Sequence, residues 1–297
     1  MKPAAFDYAR PSSLDEACAL LAQSEDARII AGGQTLVPLM AMRLARPKHL
    51  IDIARIGDLA FIRKEGEAQG SVVMIGAATR QCVVERDPTV RAELPLLAKV
   101  TPFVGHAPTR ARGTIGGSLA NADPAAEIAL VAVTLGATLH WREGTSTAEV
   151  PAADFFIGPM TTILPPTACL TAVRFPIWEA RIGVGFHEVN ARKSDFAFAS
   201  AAAQVALDEN GLCRRIALGI GAVTPVPLRL DAVARSLVGT RAEEGDVRDA
   251  VRAALADVEI LTDLHASTAY RRRVAVTLAV RALADARAAA QREPHAR

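Results

Sequence analysis

The sequence predicts an α+β protein built as three lobes, and three observations carry that expectation. Residues 28–53 alternate strand-like and helix-like segments around the turn AGGQTL. Residues 59–175 mix strand candidates with helical runs around a second glycine turn, TIGGS. After Pro176 the composition shifts to alternating strands and then to an Ala- and Arg-rich helical tail. The boundaries expected are 1–56, 57–177 and 178–297, in keeping with lengths of about 150 residues or fewer per folded unit.

In the first lobe, residues 14–22 read as a short amphipathic helix introduced by the cap candidates Ser12 and Ser13. Residues 28–31 read as a strand that runs into AGGQTL, and 36–44 as a helix with Pro38 in its first turn, where proline is tolerated. Residues 49–53 supply another strand, giving a βαβ-like opening. In the second lobe, strand candidates at 59–63 and 72–75 precede helical segments at 80–86 and 90–104. TIGGS follows, then an apolar helix at 125–136 and strands at 138–141 and 170–175, with GPMTTILPPT as a loop. In the third, 185–191, 200–207 and 215–223 alternate as strands, DENG at 208–211 is a hairpin-turn signal, and helical periodicity runs from 246 onward.

Composition narrows the function classes. A 51% hydrophobic and 22% charged chain has the make-up of a folded globular protein. The balance of 34 basic and 32 acidic side chains, 34 − 32 = +2, provides no field to attract nucleic acid or anionic lipid. A phosphate-bearing ligand must be held by local donors. Cys18, Cys82, Cys169 and Cys213 are scattered, with no CxxC pair, so they read as core thiols of a cytoplasmic protein and not as cluster ligands or disulfides. The N-terminal stretch has no apolar signal core, and the most apolar run, 125–139, is interrupted by Glu127 and too short to span a membrane.

The chemistry lies in the two glycine turns. Ala31, Gly32, Gly33, Gln34, Thr35 and Leu36 form one; Thr114, Ile115, Gly116, Gly117 and Ser118 form the other. Each pairs adjacent glycines with hydroxyl or amide side chains ahead of a helix. Glycine admits positive φ and removes the Cβ, so successive N–H groups can converge on an anion without lysine. Neither turn is a Walker loop or GxGxxG, which argues against a nucleotide triphosphatase and a Rossmann enzyme. Asp123 and Glu127, four apart, suit either a helix-dipole role or hydrogen bonds to ribose or ribitol hydroxyls. His106 reads as structural, no HExxH occurs, and no hydrolase triad is evident.

AGGQTLVPLM at 31–40, RGTIGGSLANADPAAE at 112–127, RKSDFAFA at 192–199 and the YRRR segment at 270–273 together closely resemble the FAD-binding medium subunit of the molybdenum hydroxylases. That family includes the flavin subunits of aerobic carbon monoxide dehydrogenases and the flavin domain of xanthine dehydrogenase. The resemblance covers nearly the whole chain. It implies a two-lobed FAD-binding fold of the vanillyl-alcohol-oxidase-like type followed by a C-terminal sheet-and-helix domain. It also implies FAD with both glycine turns around the diphosphate, and the lack of histidine and cysteine in either turn points to non-covalent attachment. By the same resemblance Glu127, and more weakly Asp123, touch the cofactor, Leu170 lies beside it, and Arg192 and Asp195 match the R-x-x-D-[FY]-A pattern.

The implied partners are an iron–sulfur small subunit with [2Fe-2S] clusters and a large subunit with the molybdenum cofactor, assembled as a dimer of heterotrimers. Electrons would pass from the clusters to this flavin and on to an external acceptor. The chain departs from the family where Tyr-x-Lys is common: here the stretch is Phe186–His187–Glu188. His187 is the candidate to compensate for the missing lysine, and the arginines at 271–273 are expected on a solvated helix face or a subunit contact. Two other readings use the same turns: a self-contained FAD oxidoreductase, and a non-redox nucleotide-binding regulatory or assembly protein.

Overall fold

The computed structural model describes residues 2–66, 70–178 and 181–292; the last five residues of the expected helical tail lie outside them. Strands β1 (Asp7–Ala9), β2 (Ala27–Ile30) and β3 (His49–Asp52) form a parallel sheet in the order β1-β3-β2, with α1 (Leu14–Gln23) and α2 (Leu36–Ala41) as connections. Both serines serve α1. Ser13 Oγ accepts from the Glu16 amide, while the Ser12 amide and hydroxyl bind the Glu16 carboxylate, closing the helix start from both directions. Helix α2 is shorter than its composition suggests. Arg43 turns into the left-handed region (φ 61°), and the Leu44 and Ala45 amides fold back onto the Leu39 carbonyl.

The second unit contains β4 (Ile62–Glu65), β5 (Val72–Gly76), α3 (Gln81–Arg86), α4 (Pro88–Glu93), α5 (Pro95–Val100), α6 (Ala107–Arg112), α7 (Ile115–Asn121) and α8 (Glu127–Leu135). It continues with β6 (Thr138–Glu143), β7 (Ser146–Pro151), α9 (Ala152–Phe155), β8 (Phe156–Gly158), β9 (Thr161–Thr162) and β10 (Ala168–Pro176). Five strands pair antiparallel in the order β4-β5-β10-β6-β7. The single helix expected over 90–104 is two, because Pro95 brings no amide and so begins a new helix as its first residue. The segment read as a loop at 158–167 carries β9, which pairs with β8.

The C-terminal unit is an antiparallel sheet of β11 (Arg181–Val189), β12 (Ala199–Leu207), β13 (Cys213–Gly221) and β14 (Leu228–Arg229), with α10 (Asp231–Leu237), α11 (Glu244–Ala254) and the long α12 (Thr268–Arg292). The turn between β12 and β13 is the DENG signal, with Asp208 Oδ1 accepting from the Asn210 and Leu212 amides. Strand β12, ASAAAQVAL, is buried along its whole length because α12 covers one face of the sheet and α5 and α8 cover the other. The fold class is therefore α+β, as the sequence predicts.

Small residues set the distance between α12 and the sheet. A Cβ at Gly183 would stand 1.9 Å from the Ala286 carbonyl oxygen, and one at Gly185 1.9 Å from that of Ala282. Ala275, Ala279, Ala282, Ala286 and Ala290 form the buried stripe of α12. The arginines expected on a solvated helix face or a subunit contact divide three ways. Arg271 is buried, Arg272 donates to the carbonyls of Leu255, Ala256 and Val258 at the end of α11, and only Arg273 is exposed. The reason is local: those carbonyls have no helical partner, and a guanidinium fork satisfies several at once. Gly185→Ala should lower stability by about 3 kcal/mol, the upper end for overpacking, because the clash is with backbone. A thermal melt within one degree of wild type would contradict that packing.

Candidate cofactor site

The two glycine turns are in contact. The chain leaves β2 at Ala31, and Gly33 takes φ 70°, a conformation glycine adopts freely. A Cβ on Gly32 would stand 2.4 Å from the Arg112 carbonyl oxygen, so the first turn rests on the end of α6, where the chain enters the second. Gly116 packs on Ala77, where a Cβ would approach the Ala77 Cβ to 2.4 Å, and the Cβ position of exposed Gly117 lies 4.0 Å from Ala31 Cβ. Glycine is required for backbone proximity at positions 32 and 116, and at 33 by the positive φ.

The turns differ in their hydrogen bonding. In the second, the Ile115 amide donates to Thr79 O, Gly116 to Ala77 O, Gly117 to Thr114 Oγ1 and Ser118 to Thr114 O. Among the described residues, the amides of Gly32, Gly33, Gln34, Thr35 and Leu36 have no acceptor within the chain. The first turn thus presents the donors and the second is its pedestal. Gln34 and Thr35 are exposed, Ser118 is half-buried, and Thr114 and Ile115 are in the interior. Gln34 bends back, its Nε2 donating to Gly32 O at 3.1 Å.

Beyond α7 the chain turns at Ala122 (φ 51°), and Asp123 Oδ1 accepts from the Ala125 amide at 2.9 Å. That turn delays α8 to Glu127, two residues later than the sequence suggests. Burial pushes Glu127 up to about 7, with the Asp123 charge adding to it. Asp123 is raised by burial too. Glu188 on β11 is likewise pushed up to about 7, first by burial and then by the charge of Glu127. Its side chain accepts from Asn190 Nδ2 at 2.9 Å through Oε1, while Oε2 is buried with no partner. Three carboxylates from two domains therefore meet at one junction.

Strand alternation sorts the segment around Glu188. Phe186 and Glu188 share the face toward α5 and α8, and Phe186 is buried edge-on against Phe103, with ring centroids 4.8 Å apart. His187, expected beside the cofactor, points the other way and binds Asp285 of α12 through Nε2 at 2.9 Å. It does not join Glu127 and Glu188. Leu170 is in the core, opposite Trp141 at the bulge of β10. Arg192 and Asp195 pair at 3.5 Å in an exposed loop, and Asn190 ties that loop to Glu188 through the Asp195 carbonyl. The aromatic ring this segment leaves in solvent is Phe196, 74% exposed.

Sequence reading missed Glu188 and Phe196 as site members, although the period of two along the strand carries the signal for the first. His106 precedes α6 on the surface without capping it. Cys18, Cys169 and Cys213 are buried and Cys82 half-buried, all unpaired. Burial lifts the Cys169 thiol to about 12, so it is inert at neutral pH.

Comparison with known proteins fits this geometry. Residues 4–178 match the FAD binding domain in molybdopterin dehydrogenase, and residues 185–286 match the CO dehydrogenase flavoprotein C-terminal domain. The chain belongs to the FAD-binding medium subunits of the molybdenum hydroxylases. It is 34% identical to the carbon monoxide dehydrogenase medium chain of Afipia carboxidovorans, over 98% of this chain and 100% of that one. It is also 34% identical to 6-hydroxypseudooxynicotine dehydrogenase complex subunit alpha of Paenarthrobacter nicotinovorans, over 96% of each. Among solved structures, carbon monoxide dehydrogenase from Hydrogenophaga pseudoflava superposes with a TM-score of 0.92 at 34% identity, covering 97% of this chain and 99% of that one. Quinoline 2-oxidoreductase from Pseudomonas putida 86 superposes with 0.90 at 35%, covering 98% and 99%. This medium subunit is accordingly one subunit of an oxidoreductase, with FAD as its cofactor.

The paired carboxyls make the medium subunit's stability depend on pH. In the unfolded chain a glutamate titrates near about 4.3, whereas Glu127 and Glu188 titrate at about 7 when folded. The folded state then binds more protons across that window. The stability is fully present below the unfolded value and is lost as pH rises through about 7. The melting temperature of the cofactor-free chain should fall between pH 5 and pH 8. In Glu188→Gln the fall should be smaller, with a higher melt than wild type at pH 8. Parallel curves for the two proteins would show that the carboxyls do not oppose one another.

Proposed function

We propose that this medium subunit holds FAD non-covalently, takes electrons from an iron–sulfur small subunit and delivers them to an external acceptor. Substrate is oxidised on a large subunit that carries the molybdenum cofactor, and two copies of this three-subunit unit assemble in the cytoplasm. The observation that carries the reading is the row of unpaired amides at 32–36, laid against the second glycine turn in a chain with near-zero net charge. Bound FAD supplies the redox chemistry.

The residues fit that cofactor. Amides of Gly32, Gly33, Gln34 and Thr35 point positive partial charge at a diphosphate, and the Thr35 and Ser118 hydroxyls offer further donors. Gly117, exposed and without a side chain, would leave room for a bound diphosphate. Asp123 and Glu127 would accept hydrogen bonds from ribose or ribitol hydroxyls. A protonated Glu188 has in Oε2 a donor with no partner in the chain and offers it to a cofactor acceptor. Phe196 supplies an exposed ring able to cover a flat ligand and exclude water. Thiols and histidines are absent from both turns, which suits attachment without a covalent tether.

The decisive experiment is purification through a tag on this chain, with an absorption spectrum and the subunits resolved on a gel. Flavin bands released as FAD on denaturation, iron–sulfur absorbance and two further polypeptides are expected. A colourless single chain that FAD does not reconstitute would sink the reading. Within it, Gly32→Ala should abolish FAD retention or weaken it by at least about tenfold, since one lost charge-assisted hydrogen bond is worth about 1.5 kcal/mol or more. Gly57→Ala, where a Cβ meets nothing within 4 Å, is the control and should retain the cofactor.

A further inference from the structure

Arg271 sits in the first turn of α12 and is 3% exposed; among the described residues no other charged side chain is buried so deeply. Its Nη1 donates to the carbonyls of Phe198 and Ala222, each at 2.6 Å, Nε to that of Ala266 at 3.4 Å, and Nη2 to the Asp263 carboxylate. Asp263 is itself oriented by the His265 and Ala266 amides at 2.8 and 2.9 Å through its other oxygen. The guanidinium thus has fixed partners on every side.

Two of those partners lead to the cofactor site. Ala222 adopts φ 62°, strained for a residue with a Cβ, and its amide donates to the Pro124 carbonyl at 2.8 Å. Pro124 stands between Asp123 and Glu127, so one residue, Ala222, joins Arg271 to the acidic turn of the FAD-binding domain. Phe198 closes the base of the other segment, its amide donating to Val189 O at 2.7 Å. The loop so closed carries Asn190, which holds Glu188, and Phe196. A single nitrogen, Nη1, therefore fixes the separation between the strand end that leads to Glu127 and the loop that supports Glu188.

We infer that Arg271 is a positioning residue for the cofactor site: through Ala222 and Phe198 it sets the placement of the Asp123–Glu127 turn relative to the 190–198 loop. The C-terminal domain then determines, together with the glycine turns, how the cofactor is held. Lysine cannot replace it, because a single ammonium lacks the planar fork that reaches two carbonyls and a carboxylate together. This inference rests on the FAD reading.

The test compares the full chain with its Arg271→Lys, Asp263→Asn and Arg272→Ala variants, each freed of cofactor and titrated with FAD. Affinity is read by flavin fluorescence and geometry by visible circular dichroism of bound flavin. Arg271→Lys should raise the FAD Kd about tenfold, the scale of one charge-assisted hydrogen bond, and alter the dichroism. Asp263→Asn should act in the same direction but less. Arg272→Ala, which breaks only the contacts to the end of α11, should lower the melting temperature yet leave Kd and dichroism as in wild type. A purely structural Arg271 predicts the Arg272 pattern for both arginines. Wild-type Kd, within twofold, and unchanged dichroism in Arg271→Lys would overturn the inference while leaving FAD binding intact. If that variant does not fold, Asp263→Asn is judged by the same criterion. A wild-type chain that binds no FAD would reject both readings together.

Discussion

Helix α8 is buried on every side, and the relation between the two domains depends on it. From Ile128 to Leu135 no residue reaches solvent. One side of the helix belongs to the core beneath the five-stranded sheet; the other packs on β12 and β13 of the C-terminal sheet. Gly219 and Gly221 make that approach close: a Cβ at Gly219 would stand 2.1 Å from Thr134 Oγ1, and one at Gly221 3.2 Å from Leu130. At its C-terminal end Gly136 takes φ 69°, and the Gly136 and Ala137 amides fold onto the Val133 and Ala132 carbonyls, ending the helix without exposing them. A helix apolar around its circumference has no solvent face, so its first residue, Glu127, is drawn inward with it. The acidic junction follows from the burial of the helix behind it.

The two glycine turns illustrate how one motif serves two physical ends. At the second turn the absence of a Cβ is consumed by packing: Gly116 seats the backbone of α7 on Ala77, and the amides that follow are spent within the chain. The first turn rests on that platform and keeps its own amides unpaired. Anion binding by backbone requires such rigidity, because donors that must reorganise lose in entropy what they gain in contact. On the proposed reading, a cofactor with two phosphates is held by one turn and aligned by the other. If Arg271 positions the acidic turn as inferred, it plays a corresponding part there, where the groups it binds are the Phe198 and Ala222 carbonyls.

Much of the fold was legible in the sequence because its signals are local. The serine caps of α1, the β-propensity of β2 and β5, the apolar run of α8 and the DENG turn each act within a few residues. What was not legible depends on distant partners. The 90–104 helix broke at Pro95, and 59–63 became a turn and a later strand start because the Leu59 and Phe61 carbonyls are taken by Ala78 and Gly76 across the sheet. The arginines of α12 look alike in sequence, yet Arg271 meets carbonyls contributed by residues 198, 222 and 266. For the site, the glycine pairs announced themselves through composition. The opposition of Glu127 and Glu188 did not, since 61 residues and a domain boundary separate them (188 − 127).

That opposition bears on what distinguishes this chain from relatives with Tyr-x-Lys in the same stretch. A lysine at the place of Glu188 would face Glu127 with opposite charge and hold both groups ionised at neutral pH. Glu188 inverts the situation: burial draws both Glu127 and Glu188 up to about 7, the charge of Glu127 raises Glu188 further, and both carboxyls are partly protonated near neutrality. His187 does not restore the cation, since it is held by Asp285 on the far face of β11. Phe186 does not restore a tyrosine's exposed ring, since it lies against Phe103. On the proposed reading, the electrostatic environment offered to FAD is then set by a proton and not by a fixed positive charge. A carboxyl pair that keeps one proton carries a single negative charge toward the cofactor, and one that loses it carries two and opposes added negative charge more strongly. The substitution therefore changes the kind of control available at the site, from a permanent charge to one that responds to pH.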